Sequence, residues 1–159
     1  MSLPEREEKA ALNQQLADAL ARTMSAARAL NAESVVHGDW RVKDIIGHLA
    51  AWEVACVFAL RAYQQGKEYQ ITDDYPSEEG FNQRNYHERY DVPADQVYEE
   101  WATARARLKA AINETAPEKF EGQMRFPWGP RGTIAVLVKD TIGHEEEHRA
   151  EILKLTGTA

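Results

Sequence analysis

Four long segments of this sequence repeat apolar residues every three or four positions, the spacing that puts side chains on one face of an α-helix. The stripe on the last segment runs through Ile134, Leu137 and Thr141 to Leu155. No segment alternates apolar and polar residues cleanly, as half-buried strands do. The sequence therefore predicts an all-α protein built on four long helices.

Residues that start or stop helices set the expected boundaries. Each long helix is preceded by a residue that favours a helix start: Ser2, Asp39, Pro93 and Thr133. The first, second and last helices are expected to end near Asn31, at Gly66 and near Leu155. Between the second and third, SEEGFNQRNYHERY predicts a shorter helix in a connection long enough to cross a bundle, and FPWGPRG predicts a turn-rich break before the last helix.

Composition narrows the class of protein. With 159 residues and 43% hydrophobic content, the chain is expected to form one domain over residues 1–159. Its 26 acidic and 19 basic residues give a net charge of −7 without a basic block, which argues against a nucleic-acid partner. The single cysteine, Cys56, lies in an apolar helical stretch and is expected to be a buried, inert thiol. The charged N-terminus and the lack of about 18 successive uncharged apolar residues predict a cytoplasmic protein with no membrane partner.

The last helix carries IGHEEEHRAEI, in which His144, Glu145 and His148 form the H-E-x-x-H pattern of zinc metalloproteases. Both histidines lie on the apolar stripe one turn apart, so one metal ion can take a nitrogen from each. A zinc protease needs a third ligand downstream, where only RAEILKLTGTA remains, and a strand-bearing domain ahead of the helix. A ferritin-like di-iron centre needs a second Glu-x-x-His on another helix. Both interpretations are set aside.

A third ligand is expected from upstream, where the sequence has His37, His48 and His87. His48 is the best placed because it lies in the second helix beside Ile45 and Leu49 and can face the bundle interior. The alternative for His48, a core-edge histidine hydrogen-bonded to a carbonyl group, stays open. His37, in a loop, and His87, in a polar segment, are expected to be solvated.

Carboxylates near these histidines are candidates for supporting roles. Glu151 lies on the same helical face as the histidine pair, so it is a candidate to orient a ligand or to act as a general base. Asp44, one turn before His48, is either an orienting residue or an exposed helix charge. Glu145 and Glu147 are turned away from the stripe and are expected to face solvent.

The segments WRVKDIIGHLAAWE and TIGHEEEHRAEI resemble the DinB/YfiT-like superfamily of helical bundles, and the resemblance extends over nearly the whole chain. It implies a four-helix bundle of up-up-down-down order with a long crossover. It also implies a divalent metal, with zinc or nickel expected, held by His48, His144 and His148. Characterised relatives include transferases and isomerases that use a low-molecular-weight thiol, which implies such a thiol as cosubstrate.

Two functional hypotheses remain. In the first, the protein is a metal-dependent thiol-S-transferase or hydrolase that acts on a small electrophile, because three histidine ligands leave coordination positions open. In the second, it is a noncatalytic metal- or ligand-binding bundle of stress-response type. In either case the protein could form a homodimer through an apolar helix face. Open coordination and the family resemblance favour the enzyme.

Overall fold

Helices dominate the computed structural model, which describes residues 2–157. In chain order they are α1 (Leu3–Arg28), α2 (Val42–Gln64), α3 (Glu78–Arg89), α4 (Ala94–Asn113), α5 (Pro117–Phe120) and α6 (Ile134–Thr156). A 3-10 turn spans Ile71–Asp73. The prediction of an all-α fold with four long helices and a shorter one between the second and third is confirmed.

Two short antiparallel hairpins interrupt the helical chain, and the sequence analysis predicted neither. β1 (Val35–His37) pairs with β2 (Trp40–Arg41) through a turn at Gly38, whose φ of 51° favours glycine. β3 (Met124–Arg125) pairs with β4 (Arg131–Gly132), so the predicted turn-rich break FPWGPRG forms the turn and the second strand of a hairpin. Strands of two or three residues are too short to show an alternating pattern.

Capping confirms the starts of α1 and α6 and corrects the start of α2. Ser2 and Thr133 cap their helices through side-chain oxygens, as predicted. The helix α2 begins after Arg41, whose backbone N–H donates to the Asp44 carboxylate at 2.9 Å and whose Nε donates to the same oxygen at 2.7 Å. Arg41, not Asp39, is thus the N-cap residue, because the Asp44 carboxylate is available to complete the cap.

Each of the other three long helices contacts α2. This helix packs most extensively on α4 and also contacts α6, while α1 packs on α6 and α4. By length and composition alone, α2 also qualifies as a membrane span. Most of that apolar stretch is buried inside the bundle, so packing against α4 and α6 accounts for its composition without a membrane.

Two large apolar clusters form the core along the four long helices, with polar residues between them, and a third, smaller cluster includes Ile71 of the 3-10 turn and Phe81 of α3. One large cluster includes Leu16, Leu60, Leu108, Ile112 and Leu137. The other large cluster includes Ile45, Leu49, Val97, Trp101 and Ile152. Along the four long helices, a buried polar residue falls between the members of the two large clusters: Thr23, Glu53, Arg105 and Glu145. We call these four residues the polar layer.

Candidate metal centre

Three histidine side chains from two helices meet beside the polar layer. The Nε2 atom of His144 lies 3.2 Å from Nε2 of His48 and 3.1 Å from Nε2 of His148. The potential ligand atoms of all three residues lie within 4.8 Å of one another. Trp40 of β2 packs edge-on against His48, with ring centroids 5.7 Å apart. The structure therefore brings together the three histidines that the sequence singled out, with α2 supplying one and α6 two.

Burial keeps these imidazoles neutral. Desolvation, reinforced by the neighbouring histidines, lowers the pKa of His48 to about 3 and that of His144 to about 4. Burial also lowers the pKa of His148, although the nearby Glu151 carboxylate opposes the shift. Neutral imidazole is the form that coordinates a metal, because its unprotonated nitrogen offers a lone pair.

The donor atoms and their spacing fit a divalent cation. In a tetrahedral zinc site with Zn–N bonds of about 2.0–2.1 Å, two ligand nitrogens lie about 3.3 Å apart. The Nε2 separations of 3.1 and 3.2 Å on either side of His144 are close to that value. Imidazole nitrogen is a ligand that suits zinc and nickel alike. His48, His144 and His148 are therefore the residues that could hold such an ion.

A carboxylate links His148 to a fourth histidine. Glu151 Oε1 lies 2.8 Å from Nδ1 of His148, and its Oε2 lies 3.0 Å from Nε2 of His37. The oxygen is within hydrogen-bonding distance of the buried Nδ1 atom but lies beside the axis of a donated N–H rather than along it. His37 was expected to be solvated. It is exposed, as expected, but pairing of β1 with β2 also brings it to Glu151 of α6, a contact between distant segments that local sequence does not reveal.

Glu145 is buried, which contradicts the prediction that it faces solvent. Its Oε2 lies 2.6 Å from Nη2 of Arg105, and its Oε1 accepts the Thr23 hydroxyl at 2.9 Å. Arg105 also donates through Nη2 to Glu53 at 2.8 Å, and the Trp101 indole N–H donates to the same carboxylate at 3.0 Å. The polar layer thus encloses two carboxylates and one guanidinium, and burial raises the pKa of Glu145.

The error at Glu145 has a physical cause. The apolar stripe on α6 marks the face that meets α2, but α6 also packs on α1, so a second face of the helix is buried. A signal existed on the partner helices, because Glu53 and Arg105 occupy positions within the apolar stripes of α2 and α4. Glu147 is exposed, as expected.

Asp44 has neither of the two roles considered for it. It is buried, and both of its carboxylate oxygens bind the Arg41 guanidinium, at 2.7 and 2.9 Å. It therefore holds the first turn of α2 together with the hairpin that precedes it.

A cavity of about 640 Å³ opens onto His48 and His144, which is a usual size for a small-molecule site. Its wall combines three indole rings, the charged part of the polar layer and an exposed charged mouth: Trp52, Trp101, Trp128, Glu53, Arg105, Glu145, Glu78, Lys139, Asp140 and Glu147. Cys56 also contributes, but burial raises the pKa of its thiol to about 12, which fits the predicted inert role. Within residues 2–157, Glu151 lies outside this wall.

The family profile described as the mycothiol maleylpyruvate isomerase N-terminal domain matches residues 7–146. The chain belongs to this family. The match supports the resemblance to the DinB/YfiT-like superfamily, to which mycothiol maleylpyruvate isomerase belongs. No curated protein matches the sequence.

Two solved structures have a fold similar to that of this protein. One is the crystal structure of the mycothiol-dependent maleylpyruvate isomerase, with a TM-score of 0.75 and 16% sequence identity. The other is a histidine-to-alanine variant of that enzyme, with a TM-score of 0.75 and 14% identity. Each alignment covers 96% of this chain and 63% of the solved chain, so this protein spans less than two thirds of their length.

Proposed function

We propose that this protein is a thiol-dependent metalloenzyme whose divalent cation, zinc or nickel, is held by His48, His144 and His148. The observation that carries the proposal is the convergence of three neutral imidazoles at a cavity large enough for a small substrate. When bound there, a divalent cation supplies the Lewis acidity that stabilises the thiolate of a low-molecular-weight thiol at neutral pH.

The side chains around the histidines have separable roles in this proposal. His48 and His144 line the cavity and face the reactants. Glu151 contacts Nδ1 of His148 and so favours the tautomer whose Nε2 lone pair points toward the other two histidines. This contact, together with the position of Glu151 outside the cavity wall, supports an orienting role over the general-base role that was the alternative.

The polar layer positions α6 relative to the other helices. Arg105 of α4 binds Glu53 of α2 and Glu145 of α6, and Thr23 of α1 donates to Glu145. These contacts join all four long helices one residue away from His144. One guanidinium thus serves two buried carboxylates, so each charged group in the layer has an oppositely charged partner, and the contacts restrain the separation of the histidines on α2 and α6.

The reaction class that best fits is thiol-dependent isomerisation, with thiol transfer next and hydrolysis last. The solved relatives are mycothiol-dependent isomerases by name. In an isomerisation the thiolate sulfur adds to an electrophilic carbon and later leaves with its electron pair, so the thiol is regenerated. In a transfer the carbon–sulfur bond is kept. Both reactions need the same thiolate beside His48 and His144.

Other expectations belong to the same proposal. They are the up-up-down-down order of the bundle with its long crossover, a single domain over residues 1–159, a cytoplasmic location and a homodimer formed through an apolar helix face. Light scattering coupled to size-exclusion chromatography tests the homodimer, because a measured mass equal to that of one chain would contradict it.

An activity screen tests the enzyme proposal. Protein purified without a nickel column is loaded with zinc or nickel and assayed with mycothiol and other biological thiols against small electrophiles. The rate should exceed the uncatalysed rate with at least one thiol, and His144→Ala should abolish the excess. His87→Ala is the matched control, because His87 is an exposed histidine on α3. Tight metal binding with no excess rate for any combination would favour the noncatalytic binding bundle.

A further inference from the structure

The mouth of the cavity is acidic. Glu78 of α3 and Asp140 and Glu147 of α6 are exposed there, and Lys139 is the cationic side chain beside them. Like-signed groups at the entrance of a low-dielectric cavity repel an anion before it reaches the interior. The mouth therefore disfavours ligands that carry carboxylates.

Among the side chains of residues 2–157, the interior of the cavity offers no unpaired cationic group to compensate for this charge. Arg105 is 1% exposed, and its Nη1 donates to the Leu16 carbonyl at 2.6 Å. Its Nε and Nη2 atoms bind Glu53 and Glu145. A substrate carboxylate could reach this guanidinium only by displacing a buried carboxylate, which would leave that group without a partner.

The net formal charge of the cavity stays negative when a divalent cation and a thiolate are added to the charge of its wall. Within residues 2–157, five carboxylates and two cationic side chains line the cavity, a formal charge of −3. A divalent cation on neutral histidines reduces this to −1, and a thiolate restores −2. An approaching anion thus meets a negative site at the stage when the electrophile must bind.

The remaining wall suits an uncharged ligand with an apolar or aromatic body. Trp52 and Trp128 are only partly buried, and their ring centroids lie 6.5 Å apart at 64°. The Trp52 indole N–H donates to Asn82 at 2.8 Å, which fixes that ring against α3. Two indole rings, of which Trp52 is fixed by this hydrogen bond, provide stacking surface for a planar group.

From these observations we infer that the cavity selects uncharged electrophiles and discriminates against anionic ones. The inference rests on the proposed function and deepens it by naming the substrate class. Maleylpyruvate, the compound in the names of the solved relatives, is an organic acid. It is accordingly expected to be a poor substrate for this protein.

A matched pair of electrophiles tests the inference. Methyl 4-chloro-3-nitrobenzoate and 4-chloro-3-nitrobenzoate undergo the same substitution, in which the thiolate sulfur bonds to the ring carbon and chloride leaves with the C–Cl electron pair. The thiol proton passes to the buffer. With each kcat/KM divided by its uncatalysed rate constant, the ester should be favoured about tenfold at low ionic strength, since several charges act over nanometre distances. A preference for the acid overturns the inference.

Variants test whether the acidic side chains at the mouth of the cavity cause the preference for the ester. Glu78→Gln with Asp140→Asn should reduce the ester preference several-fold, whereas Glu79→Gln should change it much less. Glu79 is the control because it is an exposed carboxylate on the same helix that lies outside the cavity wall. An unchanged ratio in the double variant would overturn the role of the mouth.

Equilibrium dialysis separates this inference from the proposed function. The unreactive pair methyl 4-nitrobenzoate and 4-nitrobenzoate is measured with the metal-loaded protein, so no turnover is needed. Tighter binding of the ester supports the inference even if the activity screen finds no enzyme. Equal or tighter binding of the anion, or no binding of either compound, overturns it.

Discussion

Acidification should destabilise the metal-free protein through its buried histidines. Lowering the pH from about 7.5 to about 5 crosses the ordinary histidine pKa of 6.5 but stays above the values of about 3 for His48 and about 4 for His144. In this window the unfolded chain takes up protons that the folded protein does not. The stability due to the neutral histidines is therefore complete above pH 6.5 and is lost as the pH falls toward the folded pKa values.

The expected magnitude follows from proton linkage. A histidine that titrates at 6.5 when unfolded and stays neutral when folded lowers the free energy of unfolding by about 2 kcal/mol between these two pH values. His48 and His144 together give about 4 kcal/mol if they act independently. Because domains of this size are typically stable by only about 5–15 kcal/mol, the loss should be easy to detect.

Urea unfolding in the presence of a chelator measures this loss. In His48→Gln the loss in the free energy of unfolding between these two pH values should be smaller by about 2 kcal/mol, because glutamine does not titrate. His87→Gln, at an exposed position, is the control, and its loss in the free energy of unfolding should be close to that of the wild type. Carboxylates that titrate near pH 5 affect all variants alike and cancel in the comparison. An equal pH dependence in wild type and His48→Gln would refute the argument that burial keeps His48 neutral.

Three further predictions concern the surroundings of the histidines. Glu151→Gln should weaken metal binding by about tenfold or more, as measured by calorimetry, because the carboxylate that orients His148 is lost, while helical circular dichroism stays unchanged. Arg105→Met should lower the free energy of unfolding in urea by about 3–5 kcal/mol, since two buried carboxylates lose their cation, and restoring stability with Glu145→Gln would support this cause. Cys56→Ala should leave the thiol-dependent rate nearly intact, because the buried thiol has a pKa raised to about 12, and a large loss of rate would make this cysteine a participant.

Local patterns were sufficient to predict the helices and the inward-facing histidines. The four-residue spacing of His144 and His148 and their place on an apolar stripe predict one shared face, and α6 has that face against α2. Ser2 and Thr133 cap their helices as predicted, because side-chain capping depends only on residues in the first turn.

Features that depend on contacts between distant segments were missed. Glu145 is polar and lies off the stripe, so its burial depends on Arg105 and Thr23, which come from other helices. His37 reaches Glu151 only because the short hairpin of β1 and β2, whose strands are too short to show alternation, packs against α6. Single-helix periodicity identifies one buried face, whereas a helix inside a bundle has more than one.

Metal stoichiometry tests the central claim most directly. Chelator-treated protein, purified without a nickel column, is titrated calorimetrically with zinc and with nickel, and its metal content is then measured. One ion should bind to each chain of the wild type and of His87→Ala. His48→Ala, His144→Ala and His148→Ala should each weaken binding by about 100-fold or more, because a two-histidine site lacks a third donor. Binding that is absent in the wild type, or that is unchanged in any of these three variants, would contradict the three-histidine site.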